Sequence, residues 1–534
     1  MRTCVTPEKR FVFSIHKPSY SVTNLRSRTR LEKLGMTGDD SPVLNHRNYP
    51  VGSVEVPDAD WIYEIANPFP FRGTTYIGKA WADRSAEDPS RIKLAEPPPV
   101  SLHGCFNEQR IDPEVIAALP RPLLLGLATT STDPDDLVLV ARKCCRFTFS
   151  ADGQPTGLQY EDSGGHRALI DDFDLFEAVA NNPHLPDVYK IAMVVRPGAQ
   201  GGSEIVGDYH AAESTHVYEY LRRNSYIGGG HYAANMADDA IRYQIDALTP
   251  NDLAGLRHLY YQRSFTRLAG ALDISIPEPP LTKKDLEIMR QKIQEHPELD
   301  RANIDATLWG WNFGFDFSSS GYRLHASHQQ IHQQYAMIPS AVGAYNDGSS
   351  DSAGACRSFS AGDMIDEVIH AYHTAHQSSF FNDYYQATVD NKRMDGRTDR
   401  EQRLVVWEDD RVILFVPKAQ TSQWELQVMT RPDRNGRFVG NILEADTDVR
   451  HSLDTAILAA QRALSGRGAE MVTTIEYSKR FSSTRNDQPL IYCFMPKLPF
   501  SPGAFSETQL RFINGHFPED FAAACRGGLA LDSK

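Results

Sequence analysis

The clearest β pattern in the chain lies in its second half, where residues 404–407, 412–416 and 424–429 form three short runs of branched and aromatic residues. A Glu-Asp-Asp turn parts the first two and a polar link parts the last two, which predicts an antiparallel meander. The period then changes. At 452–464 Leu453, Ile457, Ala460 and Leu464 share one helical face, and strands return at 471–477 and 490–494. Residues 401–534 therefore read as an α+β unit whose sheet packs under a helix.

The first half is less regular. Residues 1–60 mix a β-like run at 10–15 with a basic stretch at 26–33 and show no clear period, as in an N-terminal extension. Residues 61–150 read as strands between proline-rich breaks, NPFPF from Asn67 and EPPPV from Glu96, with 123–129 and 137–140 the strongest pair. Short helices are expected at 171–181 and 213–224. The glycine-rich SYIGGGHY that starts at Ser225 has neither of the two common phosphate-loop patterns. Thr249-Pro250-Asn251-Asp252 joins a threonine N-cap, a proline at N1 and an acid at N3, so a helix starts there with Leu253, Leu256, Tyr260 and Leu268 toward a core. A second, strongly charged helix is expected on the surface at 282–295. A β-like WGWNFGFDF follows from Trp309, and after a Gly/Ser-rich loop at 343–354 comes a helical region with His370, His373 and His376.

A chain of 534 residues with 41% hydrophobic content can bury several cores, so two to four domains are expected at ~100–200 residues each. The seven cysteines are scattered without a C-x-x-C pair, which fits reduced thiols. A net charge of −14 argues against a nucleic-acid partner, yet a small anionic substrate needs only a local pocket. The start has no apolar stretch of the ~7–15 residues a secretory signal needs, and no run approaches ~18 apolar residues, so the protein is expected to be cytoplasmic with no membrane partner.

The segment 324–339, LHASHQQIHQQYAMIP, holds the densest candidate chemistry. Read as a strand, it sends His328, Gln330, His332 and Gln334 to one face, a polar row suited to phosphate. Read as a helix, it places His325, His328 and His332 on one face at metal-ligand spacing.

On these residues the chain resembles galactose-1-phosphate uridylyltransferase and its relatives in the histidine-triad superfamily. The family pattern is a small residue and Ser, two residues, then H-x-H-x-Q. Here Ala326-Ser327 and His328-Gln329 precede Gln330-Ile331-His332-Gln333-Gln334, so the second histidine and the glutamine match and Gln330 replaces the first histidine. The family's R-x-V-x-E, V-P and W-P-x-E stretches have counterparts in Arg403 with Glu408, Val416-Pro417 and Trp424-Glu425. Its closing pattern has Asn514, Pro518-Glu519, Ala522 and Arg526.

The resemblance implies an α+β fold of two histidine-triad-like half-domains, each an antiparallel sheet packed with helices. The expected division is 1–60 as extension, 61–345 as the first half with the active strand, 346–400 as helical connector and 401–534 as the second half. It implies a nucleotidyltransferase or phosphorylase that moves a nucleoside monophosphate through a covalent nucleotidyl-histidine to a phosphate or sugar-phosphate acceptor. His332 is the catalytic candidate. Gln334, Ser327, Gln330 and Asn312, the last in an N-x-G context, are candidates for substrate phosphate, with His328 and His325 as accessory residues. Small-molecule nucleotides and phosphates are the expected partners, and the resemblance allows a homodimer. In some relatives the first histidine and a C-x-x-C pair ligate zinc. Both are missing here, so no structural zinc, metal or other cofactor is expected. Two readings remain as alternatives: a metal-dependent phosphohydrolase built on the His-rich segments, with Asp363, Asp366 and Glu367 near the second, and a nucleotide-binding protein without turnover.

Overall fold

The computed structural model describes residues 3–22, 33–44, 53–57, 59–68, 72–95, 98–161, 167–182, 184–193, 245–278, 280–314, 332–343, 354–498 and 503–531. Among these the architecture is mixed α+β, with several separate sheets. The expected helix at 213–224, the loop from Ser225, and His325, Ser327, His328 and Gln330 lie outside the described residues.

A four-stranded sheet near the start joins β1 (Ser14–His16), β2 (Ile62–Asn67) and β3 (Gly73–Gly78) to a late strand described below. The next segment corrects the sequence reading, because 123–129 and 137–140 are helical. They lie in α1 (Arg121–Thr130) and α2 (Pro134–Cys144), which pack with α3 (Phe173–Asn181). Pro122 and Pro134 stand in the first turns of these helices. Pro134 follows Asp133, whose carboxylate accepts from the Asp135 N–H. Asp135 and Asp136 at the first turn and Arg142 and Lys143 at the last both complement the helix dipole. Leu137, Val140, Ala141 and Cys144 then recur at helical spacing and are fully buried.

Two longer helices follow, α4 (Pro250–Ala271) and α5 (Lys283–Gln294), and each opens on a reciprocal cap, Thr249 with Asp252 and Thr282 with Asp285. α5 is less superficial than its charge suggests. Leu286, Met289 and Ile293 join the main core, and buried Arg290 pairs with Glu287 and donates to the Leu443 carbonyl.

The central element is a seven-stranded antiparallel sheet. Its strands are β4 (Ala306–Gly314), β5 (His332–Ile338), β6 (Val405–Glu408), β7 (Val412–Phe415), β8 (Leu426–Thr430), β9 (Met471–Tyr477) and β10 (Ile491–Pro496), in the spatial order β5-β4-β9-β10-β8-β7-β6. β4 is antiparallel to β9 with Gly310 opposite Ile475 and Gly314 opposite Met471, so strands from before and after residue 400 share one sheet. The predicted meander is β6-β7-β8. The late strand of the four-stranded sheet, β11 (Arg511–Asn514), runs parallel to β3.

Alternation divides the sheet's side chains between two cores. Trp309, Trp311, Leu414, Val428, Val472 and Phe494 face α4, α5, α8 (Thr447–Ser465) and α9 (Pro518–Leu531). Ile413, Phe415, Met429, Ile491 and Cys493 face α6 (Ala361–His376), α7 (Phe380–Val389) and the β2–β3 layer. No helix among the described residues is long and apolar enough to cross a membrane.

Inside the first core the fully buried Arg257 of α4 stands amid four rings, those of Tyr260, Tyr261, Trp309 and Tyr492, at 4.7–5.3 Å from their centroids. Its guanidinium donates to Asp454 (3.1 Å) and to the hydroxyls of Tyr261 and Tyr492 (both 2.7 Å). Tyr260 and Tyr492 in turn donate to Glu476. This network ties α4 and α8 to the back of β4, β9 and β10.

Candidate active site

The strand reading of 332–338 holds, and His332 is the first residue of β5. Among the described residues β5 is an edge strand. In its antiparallel register with β4, His332 lies directly opposite Asn312, Gln333 opposite Trp311, and Gln334 opposite Gly310. Period two therefore assigns positions 312, 332 and 334 to one face and 311, 333 and 335 to the other.

The second face is structural. Trp309 Nε1 donates to Gln333 Oε1 at 3.2 Å, and the Tyr335 ring lies 5.9 Å from that of Tyr260 in the core. The first face is open at this edge, with Asn312 half-buried and Gln334 exposed. Gly310 lies between them in the row; a Cβ there would stand 3.1 Å from the Thr474 carbonyl oxygen, so the position favours glycine. Of the predicted site residues, the register thus brings Asn312, His332 and Gln334 together.

On the other side of Asn312 is Thr473 of β9, and opposite Thr473 is Met495 of β10. Thr473 Oγ1 donates to Asn312 Oδ1 at 2.7 Å. This residue was missed in the sequence. The Thr-Thr of MVTTIEY is an ordinary strand pair there, and only the order of strands places one threonine against Asn312.

Glu425 lies at the same end of the sheet, one residue before β8. A strand-end glutamate is commonly solvated, as Glu408 is beside Arg431. Glu425 is instead fully buried, and burial pushes its carboxyl above the usual range. Its oxygens accept from Thr421 N–H (2.6 Å), Thr421 Oγ1 (2.9 Å) and Gln427 Nε2 (2.8 Å). Lys418 is likewise withdrawn from solvent. It is fully buried, paired with Glu519 and donating to Asn391 Oδ1 (2.7 Å) and the Lys392 carbonyl (2.8 Å). Trp424 stacks on Phe521 at 5.9 Å, and Arg526 donates to the carbonyls of Arg403 and Val405. Of the quoted motif residues, Arg526 and Arg403 thus come into contact.

His370, His373 and His376 are exposed along α6. The acids near them are engaged, Asp363 by Arg480 (both contacts 2.7 Å) and Asp366 by Arg485 (2.8 Å). Among the described residues no group of three His, Cys, Asp or Glu side chains is placed to hold a metal ion. A polar cleft of about 810 Å³ opens beside this helix, with Arg357, Asp366, His373, Arg480 and Arg485 on its walls. It lies past the Tyr477 end of β9, whereas Thr473 and Asn312 lie toward the other end, roughly 13 Å away along the strand.

Neither a protein-family pattern nor a curated protein matches the sequence. Solved structures do match. Uridylyltransferase is 13% identical, with a TM-score of 0.32 over 47% of this chain and 69% of that one. A galactose-1-phosphate uridylyltransferase-like protein from Arabidopsis thaliana is 12% identical, with a TM-score of 0.33 over 54% of this chain and 73% of that one. An ADP-glucose phosphorylase from the same plant, crystallised with ADP-glucose, is 13% identical, with a TM-score of 0.33 over 54% and 69%. In structure the chain is similar, at low identity and over about half its length, to these three proteins.

Proposed function

We propose that the protein is a nucleotidyltransferase or nucleotide phosphorylase that works through a covalent nucleotidyl-histidine at His332. The observation that carries this reading is the register at the open edge of the sheet: His332 opposite Asn312, with Gln334 next on the same face. An imidazole is largely neutral near pH 7, so one ring nitrogen can attack while the other keeps its proton.

In the first step a ring nitrogen of His332 attacks the α-phosphorus of the donor. An N–P bond forms, and the bond from that phosphorus to the leaving phosphate oxygen breaks. In the second step an oxygen of a phosphate or sugar phosphate attacks the same phosphorus, breaks the N–P bond and restores the imidazole. Gln334 and Asn312 donate amide hydrogens to the phosphoryl oxygens without adding a group that titrates. No step uses a metal, and with Gln330 in place of a histidine and no C-x-x-C pair the proposal includes no structural zinc. Ser327 completes the proposed phosphate contacts, with Gln330, His328 and His325 alongside. In this reading the two histidine-triad-like halves share the central sheet at the β4–β9 pairing, and the protein works in the cytoplasm.

The test is incubation with labelled dinucleoside polyphosphates and nucleoside diphosphate sugars, ADP-glucose among them, followed by a search for an acid-labile protein adduct. The parent is expected to form one and His332→Ala none. An adduct that persists in His332→Ala refutes the choice of nucleophile. Stoichiometric metal that activity requires, with His332 among its ligands, refutes the covalent route in favour of a hydrolase. Nucleotide binding with neither adduct nor turnover leaves a binding protein.

A further inference from the structure

Asn312 is asked to donate, but a carboxamide can present either end. Its oxygen accepts and its nitrogen donates, and a half-turn about the last side-chain bond exchanges them. With the oxygen toward a phosphate, the contact between two acceptors would be repulsive. Something has to choose the orientation.

The geometry points to Thr473 as the positioning residue that makes this choice. Asn312 stands between Thr473 on β9 and position 332 on β5. Thr473 Oγ1–H donates to Asn312 Oδ1 at 2.7 Å, which holds the oxygen on the β9 side. Because oxygen and nitrogen leave opposite sides of the planar amide, both Nδ2 hydrogens are then turned away from β9. They are available to an oxygen bound on the same face at position 332. The direction of the Thr473 bond follows from its other neighbour in the row. Met495 offers only a thioether, a weak acceptor that already lies 3.8 Å from the Thr421 hydroxyl. Asn312 is therefore the better acceptor for the Thr473 proton. The inference rests on the proposed function for the identity of the bound group as phosphate. The orientation itself rests on the contact.

The experiment reads the amide directly. Full-length protein labelled with ¹⁵N-asparagine is titrated with inorganic phosphate, and the Asn312 side-chain NH₂ signal is identified by its loss in Asn312→Ala. The parent signal is expected to shift on titration. Thr473→Val, which keeps the shape and removes the hydroxyl, is expected to move the free signal and weaken the apparent phosphate affinity about three- to tenfold, the worth of one hydrogen bond. Thr473→Ser, which keeps the hydroxyl, is expected to behave as the parent, and equal unfolding midpoints for the two variants separate positioning from folding. Thr473→Val with parental signal and affinity overturns the inference, as does a parent whose Asn312 amide ignores phosphate. If the amide responds as expected but no adduct forms with any donor, the positioning role stands and the nucleotidyl-transfer reading falls.

Discussion

Arg257→Met removes the cation at the centre of the buried network behind β4 while keeping most of the side chain's volume. Three hydrogen bonds go with it, to Asp454, Tyr261 and Tyr492, together with the contact to four rings. Two carboxylates, Asp454 and Glu476, then lose the nearest charge that opposes them. Burial already pushes Asp454 from its ordinary 3.8 up to about 6, even with Arg257 drawing it down, and it raises Glu476 as well. Removing one member of such a buried arrangement typically costs about 3–5 kcal/mol, and the ring contacts are part of that figure rather than an addition to it.

The pH dependence has a definite sign. Asp454 binds its proton more tightly folded than unfolded, so its contribution to stability is greatest below 3.8 and is lost as pH rises toward 6. Without the guanidinium that window extends upward, and the variant's deficit is expected to shrink between pH 7.5 and pH 5. Urea denaturation followed by tryptophan fluorescence at both values measures this, since Trp309 lies in the cage. A loss under about 1 kcal/mol at pH 7.5, well short of the cost of a broken buried pair, or a deficit that grows on acidification, would refute the reasoning.

Lys418→Met leaves Glu519 buried without its cation and is expected to cost about 3–5 kcal/mol in urea, whereas the double variant Lys418→Met/Glu519→Leu recovers most of it. His516 is buried, and its pKa is pushed down to about 4 from 6.5, so the fold gains its full benefit above pH 6.5 and loses it as pH falls toward 4. At 1.36 kcal/mol per pH unit that is about 3 kcal/mol, and His516→Asn should show a correspondingly flatter acid limb of urea midpoints. Gln334→Ala is expected to lower kcat about 10²–10³-fold with little change in KM, the pattern for a donor that acts in the transition state.

Features set by neighbouring residues were legible in the sequence. The cap at Thr249 depends on a residue three positions away, and the 404–429 meander on its own alternation. Helix α8 starts at Thr447 rather than 452 because Asp446, which accepts from the Val449 N–H, caps it ahead of the apolar stripe that begins at Leu453. The runs in α1 and α2 are short and apolar, a composition that fits strand or helix until the proline is recognised as part of a helix's first turn. What stayed hidden depends on distant partners. Lys418 and Glu519 are 101 residues apart and Asn312 and Thr473 are 161 apart, and no local pattern separates such pairs from solvated polar residues. The row Asn312-His332 was half legible: alternation gave the face of His332 and Gln334 and the resemblance named Asn312, but only the β4–β5 register set Asn312 opposite His332.

The central claim is that His332 carries the nucleotide. Parent protein treated with an α-³²P-labelled donor, quenched at alkaline pH and digested, should yield one labelled peptide, with the added nucleoside monophosphate on His332. Label on His325, His328 or any residue outside that segment, or turnover of the donor with no labelled peptide at any time point, would contradict it.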